Sequence, residues 1–218
     1  MTEQATPLPA SGGPLAAAVR TSVRIPLQFS DGFRTDAQVF TFEGLIDGQE
    51  HVALAIGPYA HTDTPLVRLH SECLTGDVFG SARCDCGPQL RDAAEKISAS
   101  GGYLIYLRQE GRGIGLYNKL DAYALQDQGM NTYEANEALG LPPDGRDYAA
   151  AAQILKTLGA ARIQLLSNNP DKAVQLAAHG IEVVEKVPTG VFVTSSNLRY
   201  LQTKVSVTGH LIALDPAA

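Results

Sequence analysis

The chain changes its hydrophobic rhythm once, near residue 70, and that change constrains the fold more than any other feature. Before it, short β-prone segments follow one another at 23–27, 37–42, 51–56 and 66–69, separated by the Gly and Asp residues that turn hairpins. After it, helical and strand patterns alternate. Residues 89–98 read as a helix, 103–107 as a buried strand, and 116–128 as a second helix stopped by Gly129. An Ala-rich helix at 147–158, a strand at 162–166, a helix at 171–179 and a strand at 181–184 follow, and 196–211 closes the chain as a helix or strap. A β-rich front followed by such alternation predicts an α/β fold (an α+β mixed sheet) with crossover helices on its faces, built as a single compact domain. A length of 218 residues supplies enough material for one sizeable core. Residues 1–20, rich in Ala, Pro, Gly and Ser, read as a flexible tail.

With 44% hydrophobic and 18% charged residues the composition is that of a globule. The longest apolar runs fall far short of the roughly 20 residues of a membrane span, which argues against a membrane partner. Seventeen basic against twenty-three acidic residues leave a net charge of −6, which argues against wrapping of nucleic acid. A local basic cluster can still hold a small anion.

Three cysteines is an odd number, and no signal-like start precedes them, so the expected compartment is a reducing cytoplasm. All three fall within fourteen positions, as C-x10-C-x-C in ECLTGDVFGSARCDCG. Cys73, Cys84 and Cys86 can converge on one ion if the loop folds back, and zinc prefers such sulfur ligands. Three readings follow: incidental buried thiols, a closed structural site with His70 as fourth ligand, or an open catalytic zinc. The last is favoured, because Arg83 and Asp85 are odd neighbours for a mere staple. His51, His61, His179 and His210 show no ligand spacing and read as structural or exposed.

Arg68, Arg83, Arg91, Arg108 and Arg112 crowd the surrounding stretch, and Arg is the usual holder of phosphate. Residues 108–115, RQEGRGIG, follow a strand and open a helix. They read either as a tight turn or as an anion cradle, and they lack the spacing of a dinucleotide site. In Ser167-Asn168-Asn169-Pro170-Asp171-Lys172 the asparagines suit helix capping, while Lys172 could reach an anion at the same terminus. Asp147 suits an N-cap, and Asp144 with Arg146 suits a surface turn. Tyr123 shares a helical face with Leu116, Leu120 and Asp127, where a packed aromatic is the simpler reading.

Taken in order, residues 70–77 (HSECLTGD), 83–87 (RCDCG), 108–115 and 122–129 (AYALQDQG), with Asp144, Arg146 and the closing 200–204 (YLQTK), resemble the GTP cyclohydrolase II family of riboflavin biosynthesis. The resemblance runs from about residue 51 to 210 and implies a catalytic domain over 21–218. It implies one zinc per subunit on Cys73, Cys84 and Cys86, whose bound water attacks C8 of guanine to open the imidazole ring, with a second hydrolysis releasing formate. It further implies loss of pyrophosphate from the triphosphate with Mg2+. GTP contacts are expected at Arg68, Leu69, His70, Ser71, Glu72, Gln89, Glu110, Gly111, Arg112, Thr132, Ser167 and Lys172. Asp144 matches the family's proton acceptor, Arg146 its proposed nucleophile toward the α-phosphorus, and Tyr123 a tyrosine of its site. A homodimer is implied. Ser167 stands where the family usually has Thr, and segments 57–61 and 191–194 depart from its pattern. These departures leave open a paralogue that stops at the formamidopyrimidine nucleotide or serves a specialised pathway.

Overall fold

The computed structural model describes residues 16–142, 144–198, 201, 202 and 205. Strands β1 (Ala18–Gln28), β2 (Arg34–Glu43) and β3 (Val52–Ile56) form an antiparallel front. β4 (Leu66–Ser71), the one-turn helix α1 (Leu74–Asp77), α2 (Cys86–Ser100) and β5 (Gly102–Leu107) follow. A 3-10 turn at Glu110–Gly113 then leads to α3 (Leu116–Asp127) and α4 (Thr132–Ala138). The chain continues through α5 (Ala149–Thr157), β6 (Arg162–Leu166), α6 (Pro170–Ala178) and β7 (Glu182–Val187). All seven strands join one sheet in the order β1-β2-β3-β5-β4-β6-β7. β5 is the seam: it runs antiparallel to β3 and parallel to β4, and β4, β6 and β7 continue in parallel.

The fold class therefore agrees with the change of rhythm in the sequence, and the differences lie at element ends and in the short helices α1 and α4. β1 begins at Ala18, inside the stretch read as tail. α2 starts at Cys86, three residues earlier than its apolar pattern, because the Cys-Gly-Pro turn opens the helix before its first buried face residue, Gln89. The seven-residue α4, too short to show a period, had no sequence signal. Asp147 accepts the backbone N–H of Ala149 at 2.6 Å, but Tyr148 occupies the cap position. Asn169 caps α6 through the N–H of Asp171, with Pro170 in the first turn, as the sequence suggested. Residues 198, 201, 202 and 205 of the closing segment are helical, and its remainder from 199 lies outside the described residues.

Alternation along the central strands sorts side chains onto two faces. Val67 and Leu69 of β4 and Tyr103, Ile105 and Leu107 of β5 pack with Ile154 and Leu155 of α5 and Leu176 of α6. Leu66 and Leu104 point the other way, onto Ala93, Ala94 and Ile97 of α2. Both faces of the sheet centre are thus covered, which is why β5 reads as a continuous apolar run, while β4 carries the buried polar residues Arg68 and His70 on its α2 side. Burial of each Leu or Ile there contributes roughly 1.5–3 kcal/mol.

Pairing at the seam requires a residue without a side chain at Gly102, where an added Cβ would lie 2.0 Å from the Leu66 carbonyl oxygen. Gly102→Ala should overpack the β4–β5 contact and cost about 1–3 kcal/mol, lowering the thermal midpoint by roughly 2–12 °C. A melting curve superimposable on that of the wild type would contradict the strand pairing described.

Candidate active site

β4 is flanked by the strands that follow it on opposite sides, β5 on one and β6 on the other, so the chain reverses its winding there. In open α/β sheets a crevice forms outside the carboxyl ends of the strands at such a point. Three segments meet in it: residues 72–86 after β4, 108–115 after β5 and 167–172 after β6. They line a cleft open to solvent on one side.

The cysteines form one end of this cleft. Cys73 lies two residues beyond β4 at the N-cap position of α1, Cys84 sits in the returning loop, and Cys86 opens α2. Their Sγ atoms all lie within 4.8 Å of one another. The Cys73–Cys84 separation is 3.7 Å, against the roughly 3.8 Å expected between sulfurs bound about 2.3 Å from a tetrahedral zinc. Gly76 makes room for the trio, since a Cβ there would stand 2.7 Å from Cys84 Sγ and 3.1 Å from Cys73 Sγ. Sulfur donors at this spacing fit a soft tetrahedral cation. The three are free thiols. Hydrogen bonds from Cys84 and Cys86 hold the Cys73 thiol far below the usual thiol range, and the positive Lys119 adds to the effect. Sharing those hydrogen bonds pushes Cys84 and Cys86 up.

His70 is not the fourth member of the group. Its Nε2 pairs with Asp77 at 3.0 Å, its ring stacks on Tyr106 at 5.5 Å, and burial pushes its imidazole down. Asp77 in turn accepts the Tyr106 hydroxyl at 2.8 Å and the Cys73 N–H at 3.0 Å. This network fixes the start of the ligand loop. Among the described residues the metal-capable cluster is the three cysteines alone.

Other parts of the cleft lining carry cations. Arg68 is 7% exposed; its guanidinium donates to Gln89 Oε1 at 2.8 Å and to the Leu166 carbonyl at 3.2 Å, and Gln89 donates to Asp85 at 2.6 Å. Burial pushes Arg68 below the usual guanidinium range. The Leu69 side chain faces the α5–α6 core, and only its carbonyl serves the site, accepting Lys172 Nζ at 2.8 Å. Ser71 accepts from Gln109 at 2.9 Å, and Glu72 pairs with Arg108 at 3.0 Å. Ser167 Oγ accepts the Asn169 N–H at 3.0 Å. Thr132 is the first residue of α4.

The glycine segment forms a tight turn and a cleft wall together. Gly111 and Arg112 both adopt left-handed conformations at φ 62°. At Gly113 an added Cβ would meet the Gly145 carbonyl oxygen at 2.9 Å, and Gly145 N–H donates to the Arg112 carbonyl at 3.0 Å. The 144–146 turn is thereby pinned to the cleft. Arg146 lines it and binds Asp144 through two nitrogens at 2.9 and 2.5 Å. Burial alone would raise the Asp144 carboxyl, but Arg146 outweighs it and holds the group below the usual carboxylate range.

Some of the arginines serve elsewhere. Arg91 stacks on Phe29 and Phe33 and pairs with Asp31, clamping the β1–β2 turn to α2. Arg83 pairs with Asp127 at 2.5 Å and lies 4.8 Å from the Tyr123 ring. The cationic wall is instead Arg68, Arg112, Arg146 and Lys172. The buried residues of α3 are Lys119 and Ala122, while Leu120 is 43% exposed; Tyr123 flanks the cleft between Arg83 and Lys119. Lys119, Gln126 and Asn136 also line the cleft without having been singled out in the sequence, and Asn168, read there as a helix-capping residue, lines it too. A lysine one helical turn before Tyr123 was the only available hint.

Comparison with known proteins is consistent with this geometry. A sequence model of the GTP cyclohydrolase II family matches residues 20–188. GTP cyclohydrolase-2 of Vibrio parahaemolyticus is 53% identical over 191 residues, 86% of this chain and 96% of its own length. The Vibrio cholerae protein of the same name is 52% identical over 195 residues, 88% of this chain and 98% of its own. Riboflavin biosynthesis protein RibBA of Bacillus subtilis is 54% identical over 177 residues, 80% of this chain but 44% of its own length. With the family model matching residues 20–188 and relatives more than 50% identical along most of both chains, the chain belongs to the GTP cyclohydrolase II family.

Proposed function

We propose that the chain hydrolyses GTP for riboflavin biosynthesis, opening the guanine imidazole ring with release of formate and cleaving the triphosphate with release of pyrophosphate. The observation that carries this reading is one cleft with a three-sulfur centre at one end and Arg68, Arg112, Arg146 and Lys172 along its walls. Cys73, Cys84 and Cys86 would hold one zinc per subunit, which when bound supplies a Lewis acid and lowers the pKa of water. Mg2+ enters with the triphosphate as part of the substrate.

The protein's own groups divide the remaining work. Arg112, Arg146 and Lys172 offset triphosphate charge, and Arg68, held by Gln89 and Leu166, keeps a fixed cation near the base end. Glu72 offers an acceptor to the purine edge, and Gln89 and Glu110, whose oxygens already accept from Arg68, Lys119 and Leu74, hold the wall beside it. Tyr123 orients the substrate or a water beside the sulfurs. Asp144 accepts the proton. Arg146 acts by charge, since a protonated guanidinium has no lone pair to offer as nucleophile, and its fork is already occupied by Asp144.

We read the working unit as a homodimer. Support comes from β1, an eleven-residue edge strand exposed on nearly its whole length and carrying exposed Val19, Val23 and Ile25. A bare edge of that kind is normally covered. The free thiols accord with work in a reducing cytoplasm.

Metal-loaded protein given Mg·GTP should yield formate, pyrophosphate and a diaminopyrimidine chromophore. Retention of the formyl carbon by mass spectrometry would select the truncated paralogue reaction instead, and turnover of neither kind would overturn the proposal. Cys84→Ser should lose both zinc retention and ring opening; wild-type zinc content in that variant would refute the ligand assignment.

Arg146→Lys separates charge from covalency. A charge clamp predicts residual pyrophosphate release, lowered about 10²–10³-fold, and no trapped nucleotidyl adduct in either protein. Complete loss in the variant together with an adduct in the wild type would make Arg146 the nucleophile.

Asp144 sits below its ordinary value of 3.8, so its ionised form persists above that value and is lost only as pH falls through its lower folded value. Asp144→Asn should therefore cost about 10²–10⁴-fold evenly from pH 5 to 8. A deficit that vanishes toward pH 5 would show that Asp144 itself titrates within that range, against the lowered value, and no deficit at any pH would show that the base is another group.

A further inference from the structure

Lys119 is the one buried lysine of α3, its side chain 10% exposed. Lysine is almost never buried without partners, and an ammonium has three N–H donors. Here Nζ has three acceptors: Glu110 Oε1 at 2.8 Å, Thr75 Oγ1 at 3.1 Å and Cys73 Sγ at 3.2 Å. Two of them lie on the ligand loop. The third, Glu110, also accepts the Leu74 N–H at 2.7 Å through its other oxygen. Lys119 and Glu110 together therefore hold residues 73–75 by backbone, hydroxyl and sulfur. The approach depends on Gly111, where a Cβ would stand 3.1 Å from Lys119 Cβ.

We propose that Lys119 is a positioning residue for the sulfur centre, fixing Cys73 Sγ and weakening that sulfur's donation to the bound ion. The inference rests on the metal-site reading above. Three thiolates around a divalent cation leave one net negative charge, and an ammonium in contact with one sulfur offsets it. A charge-assisted N–H···S bond also draws electron density from the sulfur, so the ion keeps more of its Lewis acidity. Partners that hold metal ligands typically change metal affinity about 10–100-fold when removed.

The test uses the full chain, stripped of metal and titrated with Co2+, with affinity read by chelator competition and sulfur-to-cobalt charge transfer read by absorption. Lys119→Met should bind Co2+ about 10–100-fold more weakly, with the charge-transfer band moved to lower energy because the unbonded sulfur is easier to oxidise. Lys119→Arg, which keeps charge and donors, should return both readouts toward the wild type. Circular dichroism reports folding; if leaving Glu110 unpaired unfolds the Met variant, Lys119→Gln, which keeps a donor to Glu110 without the charge, is read in its place. A folded Met or Gln variant with unchanged band energy and affinity would overturn the proposal. Absence of any thiolate charge-transfer band in the wild type would instead overturn the metal-site reading on which it rests.

Discussion

The parallel pairing of β4 between β5 and β6 is the constraint on which the rest of the molecule depends. With neighbours on both edges and helices on both faces, β4 has no freedom of register, and a slip by one residue would exchange its two faces. That rigidity has a consequence for Arg68 and His70. Alternation turns them toward the side of α2, away from the core face that takes Val67 and Leu69, so both are buried with their polar atoms at the floor of the cleft. The strand that organises the apolar core thus also delivers a buried cation and a buried imidazole to the site.

Buried polar groups of this kind are tolerable only in chains of partners, because a buried charge that loses its partner costs about 3–5 kcal/mol. Three such chains surround the sulfurs: Arg68 to Gln89 to Asp85, His70 and Tyr106 to Asp77, and Lys119 to Glu110. Each ends on or beside a cysteine: Asp85 lies between Cys84 and Cys86, Asp77 accepts from the Cys73 backbone, and Lys119 donates to Cys73 Sγ. Hydrogen-bonded networks of this kind rigidify their surroundings, although Arg68 Nε and His70 Nδ1 are buried without a hydrogen-bond partner. Sulfur positions are consequently set by hydrogen bonds from three separate elements as well as by the loop that carries the thiols.

Much of this was visible in the chain before folding. Clustering of three cysteines marks a convergent site, and alternating periods after residue 70 mark crossover helices, because both signals are local. What escaped the sequence depends on tertiary context. Lys119 and Leu120 are adjacent on α3, and hydropathy alone buries the leucine; the structure does the reverse because Glu110 and Cys73 supply acceptors that no helical period can reveal. Arg91 looks like one more member of a basic run, yet α2 turns it toward Phe29 and Phe33, over fifty residues earlier in the chain. The Asp144–Arg146 turn reads as surface in isolation, and only its contact with Gly113 brings it to the cleft.

That last contact explains why a non-glycine residue sits at positive φ. A left-handed conformation costs roughly 1–2 kcal/mol for a residue with a Cβ, and Arg112 is the one such residue among those described. The strain persists because both sides of the segment are fixed. On one side Glu110 holds the Leu74 backbone and the Lys119 ammonium; on the other the Arg112 carbonyl holds Gly145, which Gly113 approaches closely enough to exclude a side chain. Four residues therefore tie the sulfur end of the cleft to the Asp144–Arg146 end. On the function proposed above, two hydrolytic steps on one nucleotide would need their sites a fixed distance apart, and a strained turn anchored at both ends is a short, stiff way to set that distance.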